Sequence, residues 1–284
     1  MEIKFDAKLQ HQQQAIQSSV NVFNGQEKCE SNFTVYRPDA NKQINLEIND
    51  LGYSNKLNLP DSKLVNNIQK IQLSNGLKVT NSSDISSSNL DFTINMETGT
   101  GKTYVYLRTI LELYQNYGLS KHIVVVPSIA IKEGTEKSLR ITEAHFKDIY
   151  DNIDYDYFVY NSKDMSNIRD FAINDKLSIM VINIDAFSKS FKNPISSSSV
   201  NLIHRVNERL GSIPLELIKL TKPIVYIDEP QTTVSSKNRK DAVKNLNPLA
   251  IYRYSATHRE KTIELYKLTA VDAYKQKLVK QIEV

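Results

Sequence analysis

Short runs of apolar residues alternate with longer helical patterns in the part of the chain that follows Asp91. The apolar runs lie at residues 92–95, 122–127, 157–160, 178–183, 223–227 and 252–255. Several are apolar at consecutive positions, which is typical of strands buried on both faces of a parallel sheet. Helical patterns intervene at about residues 102–114, 131–146 and 200–210. This alternation predicts βαβ units and a three-layer α/β domain with a mostly parallel central sheet.

The chain has a different character between residues 24 and 90, where it is polar and rich in Asn, Ser and Lys. This composition predicts an irregular polar insertion with one short helix near residues 62–72. Before the insertion, Leu9, Ala15 and Ile16 are spaced as one face of an amphipathic first helix.

Composition narrows the possible functions only slightly. The 284 residues carry 36 Lys and Arg against 32 Asp and Glu, and the net charge of +4 does not by itself indicate a polyanionic partner. The single cysteine, Cys29, excludes an intrachain disulfide framework. There is no apolar signal core, and no run approaches the ~18 apolar residues of a membrane helix. We therefore expect a cytoplasmic protein with no membrane partner.

The stretch METGTGKT, residues 96–103, follows a predicted strand and precedes a predicted helix. Gly99 and Gly101 allow positive φ angles, so that backbone N–H groups can converge on a phosphate at a helix N-terminus. In such a loop Lys102 reaches the β- and γ-phosphates, and the Thr103 hydroxyl binds Mg²⁺. The alternative is an ordinary strand-to-helix turn with Lys102 in solvent. The predicted nucleotide-binding residues of the loop are Glu97, Thr98, Gly99, Thr100, Gly101, Lys102 and Thr103.

A second apolar run ends in two adjacent acids, Asp228 and Glu229, within the sequence IVYIDEPQ. An aspartate at the end of a buried strand can hold Mg²⁺, and a neighbouring acid can orient or deprotonate the attacking water. Together with the phosphate loop, these acids predict hydrolysis of a nucleoside triphosphate. The catalytic candidates are Lys102, Asp228 and Glu229, and the metal ligands are Thr103 and Asp228.

Four stretches together resemble a known family: METGTGKT, VVVPSIAIKEG, DEPQ and SATHR. Their wording is similar to the helicase–ATPase part of the restriction (Res) subunit of type III restriction–modification enzymes, which belong to superfamily 2. Met96 stands where other phosphate loops have a first glycine, and superfamily 2 helicases commonly lack that glycine. The resemblance implies a RecA-like P-loop domain that uses ATP and Mg²⁺ to drive DNA translocation or switching for cleavage. It also implies two partners, DNA and a modification (methyltransferase) subunit.

The resemblance implies roles for residues outside the loop. Gln12 matches a glutamine that contacts the adenine edge, although the glutamines at 12–14 leave the register open and a solvated glutamine is the alternative. Pro127, Ser128 and Lys132 match a loop that meets DNA phosphates, while Ser128 could equally cap a helix. Asn183 matches a further DNA contact, with a capped turn as the alternative. The residues that match motifs coupling ATP to DNA movement are Gln231, Ser255, Ala256, Thr257 and His258, the last of which could instead be a surface histidine.

The division expected from the resemblance is a glutamine-motif helix at residues 1–23, a polar insertion at 24–90 and a first RecA-like helicase domain at 91–284. Motifs of a second RecA-like domain, including its arginine, and of a nuclease domain are not found, and the sequence stops without a terminating signal. We therefore expect a first motor domain that binds ATP with little turnover. Competing hypotheses are a non-catalytic remnant, another superfamily 2 DNA helicase domain, and a P-loop kinase or GTPase, for which SATH has no explanation.

Overall fold

The computed structural model describes residues 5–36, 49–189, 201–208, 210–256 and 262–279. Two strands form an antiparallel pair of their own, β1 (Asn32–Tyr36) and β2 (Asn49–Tyr53). Seven further strands form the central sheet: β3 (Asp91–Met96), β4 (Lys121–Val126), β5 (Tyr155–Val159), β6 (Leu177–Asn183), β7 (Ile224–Asp228), β8 (Ala250–Ser255) and β9 (Ile263–Leu268). Their order is β5-β6-β4-β7-β8-β3-β9, and every neighbouring pair is parallel.

Helices cover both faces of this sheet. The described residues form α1 (Gln10–Val20), α2 (Asp61–Ser74), α3 (Lys102–Tyr117), α4 (Ile129–Ile149), α5 (Ser166–Ile173), α6 (Asp185–Ser188), α7 (Pro214–Leu220), α8 (Pro230–Thr233), α9 (Lys237–Lys244) and α10 (Ala270–Lys275). Strand β4 contributes Val124 and Val126 to an apolar cluster with α1 to α4, and Ile123 and Val125 to a second cluster with α5, α6, α7 and α9. Because successive side chains of a strand point to opposite faces, the two clusters lie on opposite sides of the sheet.

The prediction of a three-layer α/β domain with a mostly parallel sheet is confirmed. Every residue of β4, β7 and β8 is buried, which is why the sequence is apolar at consecutive positions over residues 123–126 of β4 and 224–227 of β7. Strand β9 was not predicted. It lies at the edge of the sheet, and the polar residues Glu264 and Lys267 interrupt its apolar positions.

The predicted helix at residues 200–210 is wrong. Among the described residues of that stretch, a short 3-10 helix spans Leu202–His204, and Asn207 pairs with Ser212 in an isolated bridge. The Asn207 side chain accepts a hydrogen bond from the N–H of Leu210 at 3.1 Å, which competes with helical bonding. A regular helix begins only at Pro214, a residue type that is favoured at helix starts.

Asn55 anchors the polar segment 49–90 to the amino ends of two central strands. This residue is 3% exposed, and its Nδ2 donates to the carbonyl oxygens of Lys121 (2.7 Å) and Lys222 (3.1 Å). Its Oδ1 accepts from the N–H groups of Ser120 (2.8 Å) and Lys121 (3.1 Å). These four bonds join the start of β4 to the start of β7.

Helix α2 holds the edge of the sheet in a similar way, and it confirms the helix predicted near residues 62–72. At its end, Gln72 Nε2 donates to the carbonyl of Glu264 at 2.9 Å. Asn75 Nδ2 donates to the carbonyl of Leu265 at 2.6 Å. The polar composition of this segment therefore reflects amides that bind the backbone of the sheet.

Candidate nucleotide-binding site

The phosphate-loop sequence forms a tight turn between β3 and α3. Gly99 and Gly101 have φ angles of 82° and 92°, in the left-handed region where glycine is favoured. Thr100 Oγ1 donates to the carbonyl of Glu97 at 2.7 Å, and Glu97 Oε1 accepts from the N–H of Thr98 at 2.8 Å. A Cβ atom added at Gly99 would have open space within 4 Å. The loop is therefore closed by its own bonds and has room for a ligand above Gly99.

Lys102 lies between the loop and the acids at the end of β7. Its Nζ donates to the carbonyl of Met96 at 3.4 Å and lies 3.5 Å from Glu229 Oε1. The side chain is 10% exposed, so the alternative of a lysine in solvent is excluded. Lys102 is the first residue of α3, so its ammonium lies between the phosphate loop and the acidic end of β7.

Asp228 and Glu229 differ in their surroundings although they are adjacent. Burial and, to a smaller extent, the Glu229 carboxylate raise the pKa of Asp228 to about 6, against the opposing effect of the Lys102 ammonium. Glu229 has φ 49°, in the left-handed region, and its N–H donates to the carbonyl of Tyr254 at 3.1 Å. The Asp228 carboxylate and the Thr103 hydroxyl both lie near the Tyr106 side chain, and they offer the oxygen ligands that Mg²⁺ prefers. The residues present therefore fit a nucleotide with its cation.

Gln231 connects this site to the end of β8. Its Nε2 donates to Glu229 Oε2, and its Oε1 accepts from Ser255 Oγ at 2.9 Å. The structure thus links two of the predicted coupling residues, Gln231 and Ser255, to Glu229 by hydrogen bonds, and Glu229 in turn forms an ion pair with Lys102. Ala256 follows directly after β8, and the predicted Thr257 and His258 lie outside the described residues.

Helix α1 packs its glutamine against the phosphate loop. Gln12 is 7% exposed, which excludes the alternative of a solvated glutamine at this position. Its Nε2 donates to the carbonyl of Thr100 at 3.0 Å, and a Cβ atom at Gly101 would collide with the Gln12 amide.

Sequence reasoning missed His11, whose Nε2 also lies 3.0 Å from the carbonyl of Thr100. Because a carbonyl oxygen only accepts, Nε2 must carry the proton there. The neighbouring Gln12 was the only signal that could have drawn attention to this histidine.

The four residues predicted to contact DNA line one groove of ≈ 1090 Å³, across the carboxyl ends of β4, β5 and β6. They are Pro127, Ser128, Lys132 and Asn183. Ser128 Oγ also accepts from the N–H of Ile131 at 3.3 Å, so it caps α4. Asn183 Oδ1 accepts from the N–H of Asp185 at 2.7 Å, and Lys132 Nζ donates to the carbonyl of Tyr160 at 3.4 Å. Ser128 and Asn183 therefore form the capped turns that were the alternative to DNA contacts, and both also line the groove.

A second cavity, of ≈ 990 Å³, lies elsewhere and is lined by no residue of the predicted site. It is bordered by residues 78–89, α9 and the starts of β3 and β9. Its most buried charge, Arg253, forms a two-bonded pair with Asp91, at 2.6 Å from Nε to Oδ1 and 2.8 Å from Nη2 to Oδ2. Internal pairing of this kind indicates a structural role for these two residues.

A parallel sheet with a glycine loop before α3, a lysine at the start of that helix and acids at the end of β7 defines a RecA-like P-loop domain. The family described as "Type III restriction enzyme, res subunit" matches residues 8–260, and this chain belongs to that family. Within the described residues, no helix has the length and apolar character needed to cross a membrane.

Two curated relatives are similar over most of this chain. The type III restriction-modification enzyme EcoPI Res subunit of Escherichia phage P1 is 32% identical over 296 residues, covering 98% of this chain and 28% of the relative. The EcoP15I Res subunit of Escherichia coli is 30% identical over 239 residues, covering 80% of this chain and 24% of the relative. The chain thus spans about a quarter of the length of these relatives.

Among solved structures, the DUF1998 helicase MrfA bound to DNA matches 67% of this chain and 26% of its own, at 17% identity and a TM-score of 0.40. A likeness of this size carries no argument about function.

Proposed function

We propose that this chain is the ATP-binding motor domain of a type III restriction endonuclease Res subunit. In this role it is an ATP-dependent hydrolase that couples ATP hydrolysis to DNA translocation or switching for cleavage. One observation carries the proposal: the Lys102 ammonium lies 3.5 Å from Glu229 Oε1, so the phosphate loop and the acidic strand end meet. Residues 91–284 then form the first RecA-like domain, preceded by the glutamine-motif helix at 1–23 and the polar insertion at 24–90.

Each residue of the site has a distinct role in this proposal. The loop N–H groups and the Lys102 ammonium bind the β- and γ-phosphates, while Gln12 lies beside the loop to contact the adenine edge. Thr103 and Asp228 would hold Mg²⁺, which usually takes only one or two protein carboxylates. When bound, Mg²⁺ neutralises charge on the phosphate oxygens. Glu229 orients the attacking water and accepts its proton.

Glu229 is the point at which nucleotide and DNA are coupled. It faces Lys102 on one side and Gln231 on the other. When Lys102 turns to the γ-phosphate, its pair with Glu229 weakens, and Gln231 holds the freed carboxylate toward the water. Ser255 responds through its bond to Gln231, so the end of β8 senses the state of the nucleotide.

DNA is the proposed ligand of the groove that contains Ser128, Lys132 and Asn183. Lys132, in the first turn of α4, lines the groove, and its ammonium suits phosphate oxygens. Family membership adds the modification subunit as the proposed protein partner.

The proposal is tested by calorimetric titration of the chain with ATP·Mg²⁺. Lys102→Ala removes a charge-assisted contact to phosphate, and we expect it to weaken binding about 30-fold. The matched control is Lys147→Ala, which removes an exposed lysine of α4 that pairs with Glu143, and it should bind as the wild type does. Equal affinities for the wild type and Lys102→Ala would overturn the loop assignment. Turnover that Glu229→Gln leaves unchanged would not come from this site.

A further inference from the structure

Arg239, at the start of α9, joins two helices that belong to different parts of the site. Its Nη1 donates to the carbonyl of Thr232 in α8 at 3.0 Å. Its Nη2 donates to Asp185 Oδ1 in α6 at 2.8 Å. The neighbouring Asn238 adds a bond from Nδ2 to the carbonyl of Ser188 at 2.7 Å. The first turn of α9 therefore clamps α6 and contacts α8 at the same time.

The α8 end of this bridge is tied to the proposed catalytic acid. Thr232 N–H and Thr232 Oγ1 both donate to the carbonyl of Glu229, at 3.0 Å and 2.9 Å. Thr232 also follows directly after Gln231, whose amide binds the Glu229 carboxylate. The main chain of Glu229 is therefore linked through Thr232 to the carbonyl that Arg239 binds.

The α6 end of the bridge lies in the groove proposed for DNA. Asp185 lines that groove, and its side chain is 46% exposed. Its N–H donates to Asn183 Oδ1, so its backbone is fixed to the end of β6. An unpaired carboxylate at this position would repel phosphates, whereas the guanidinium of Arg239 offsets its charge.

We propose that Arg239 is a positioning residue that couples nucleotide binding to DNA binding, and that its pairing with Asp185 makes the groove acceptable to phosphates. The inference rests on the proposed function, because it needs ATP at Lys102 and DNA in the groove. An arginine is required since its planar fork serves two acceptors in fixed directions, which a single ammonium does not reproduce.

The test measures binding of a fluorescein-labelled DNA duplex to the full chain by anisotropy, with and without saturating non-hydrolysable ATP analogue and Mg²⁺. For the wild type we expect the analogue to change the Kd for DNA by about fivefold or more. In Arg239→Gln the ratio of the Kd for DNA without the analogue to the Kd with it should lie within about twofold of one. The variant should also bind DNA about fivefold more weakly, because Asp185 is left unpaired.

Two further variants separate charge from geometry. Arg239→Gln combined with Asp185→Asn should recover the DNA affinity of the wild type, while the ratio stays near one. Arg239→Lys keeps the charge, so DNA affinity should hold and the ratio should still fall. Arg140→Gln, an exposed arginine of α4, is the matched control and should leave both quantities unchanged.

The outcomes distinguish this inference from the proposed function. A wild type that binds neither ATP nor DNA refutes the proposed function itself. Three other outcomes overturn the role of Arg239 alone. In the first, the wild type binds both ligands but the ATP analogue does not change the Kd for DNA. In the others, Arg239→Gln keeps the wild-type ratio of the two Kd values, or the double variant recovers it. Thermal unfolding of each variant is the control: a variant that melts at the wild-type temperature has not lost binding through unfolding.

Discussion

The two ends of the central sheet use polar side chains in opposite ways. At the amino ends of β4 and β7, the uncharged Asn55 side chain completes four hydrogen bonds to backbone groups. At the carboxyl ends, Lys102, Asp228 and Glu229 bring one positive and two negative charges together, and burial raises the pKa of Asp228 to about 6. A group whose bonds are complete stabilises the fold, whereas charges held at a cost in desolvation are stabilised by a ligand.

The strongest test of this contrast removes the amino-end anchor. Asn55→Ala leaves four buried backbone groups without their partner, and we expect the free energy of unfolding to fall by about 4 kcal/mol. Denaturant unfolding measures this, with Asn58→Ala, an exposed neighbour, as the control that should change little. The folded fraction of Asn55→Ala should still bind ATP·Mg²⁺ as the wild type does. A loss below 1 kcal/mol would show that water replaces the amide.

A second test measures how stability depends on pH, and it concerns Lys121, the first residue of β4. Lys121 is 0% exposed, its Nζ donates to the carbonyl of Asn174, and burial lowers its pKa to about 7 from the usual 10.5. Between these values the unfolded chain holds a proton that the native state has released, so the free energy of unfolding should rise with pH over this interval, with no such slope below pH 7. Lys121→Met should abolish the slope in denaturant unfolding at several pH values. Identical pH profiles for the two proteins would contradict the lowered pKa.

At the carboxyl ends of the strands, removing a polar side chain should raise the free energy of unfolding rather than lower it. Asp228→Asn removes a desolvated charge that also repels Glu229, so we expect the free energy of unfolding to rise by about 1.5 kcal/mol while ATP·Mg²⁺ binding is lost. Asp148→Asn, an exposed acid of α4, serves as the control and should alter neither quantity. A clear loss of stability in Asp228→Asn would show that this acid serves the fold rather than a ligand.

The smallest expected effect concerns Ser128, which both caps α4 and lines the groove. Ser128→Ala should lower the free energy of unfolding by about 1 kcal/mol and also weaken DNA binding. Thr269 caps α10 by accepting from the N–H of Asp272 at 3.2 Å, away from the groove. Thr269→Ala should therefore cost a similar amount of stability with no change in DNA affinity. Equal DNA affinities in both variants would show that Ser128 caps α4 but does not contact DNA.

The features that the sequence could predict are those encoded by neighbouring residues in the chain. The central strands are predictable because consecutive apolar residues indicate burial on both faces, and the loop from Gly99 to Thr103 is predictable because its glycines, lysine and threonine are contiguous. Edge strand β9 was not predicted because Glu264 and Lys267 interrupt its apolar pattern. The anchoring role of Asn55 could not be predicted, since its partners Lys121 and Lys222 lie 66 and 167 residues away.

The same reasoning applies within the site. Lys102, Asp228 and Glu229 were predicted from two short motifs, whereas the arginine bridge was not, since Arg239 meets Asp185 only through packing of α9 on α6. The helix wrongly predicted at residues 200–210 has an apolar pattern, and the side chain of Asn207 overrides it. Side chains that bond to distant backbone leave no periodic signal in the sequence.

The central claim is that the carboxyl ends of β3 and β7 bind ATP with its cation. The most direct test is a crystal structure of the chain with a non-hydrolysable ATP analogue and Mn²⁺ in place of Mg²⁺. We predict an anomalous peak for Mn²⁺ within about 2 Å of Thr103 Oγ1 and beside the Asp228 carboxylate, with the γ-phosphate against Lys102. Nucleotide bound elsewhere, or a Mn²⁺ peak away from both residues, would contradict the account.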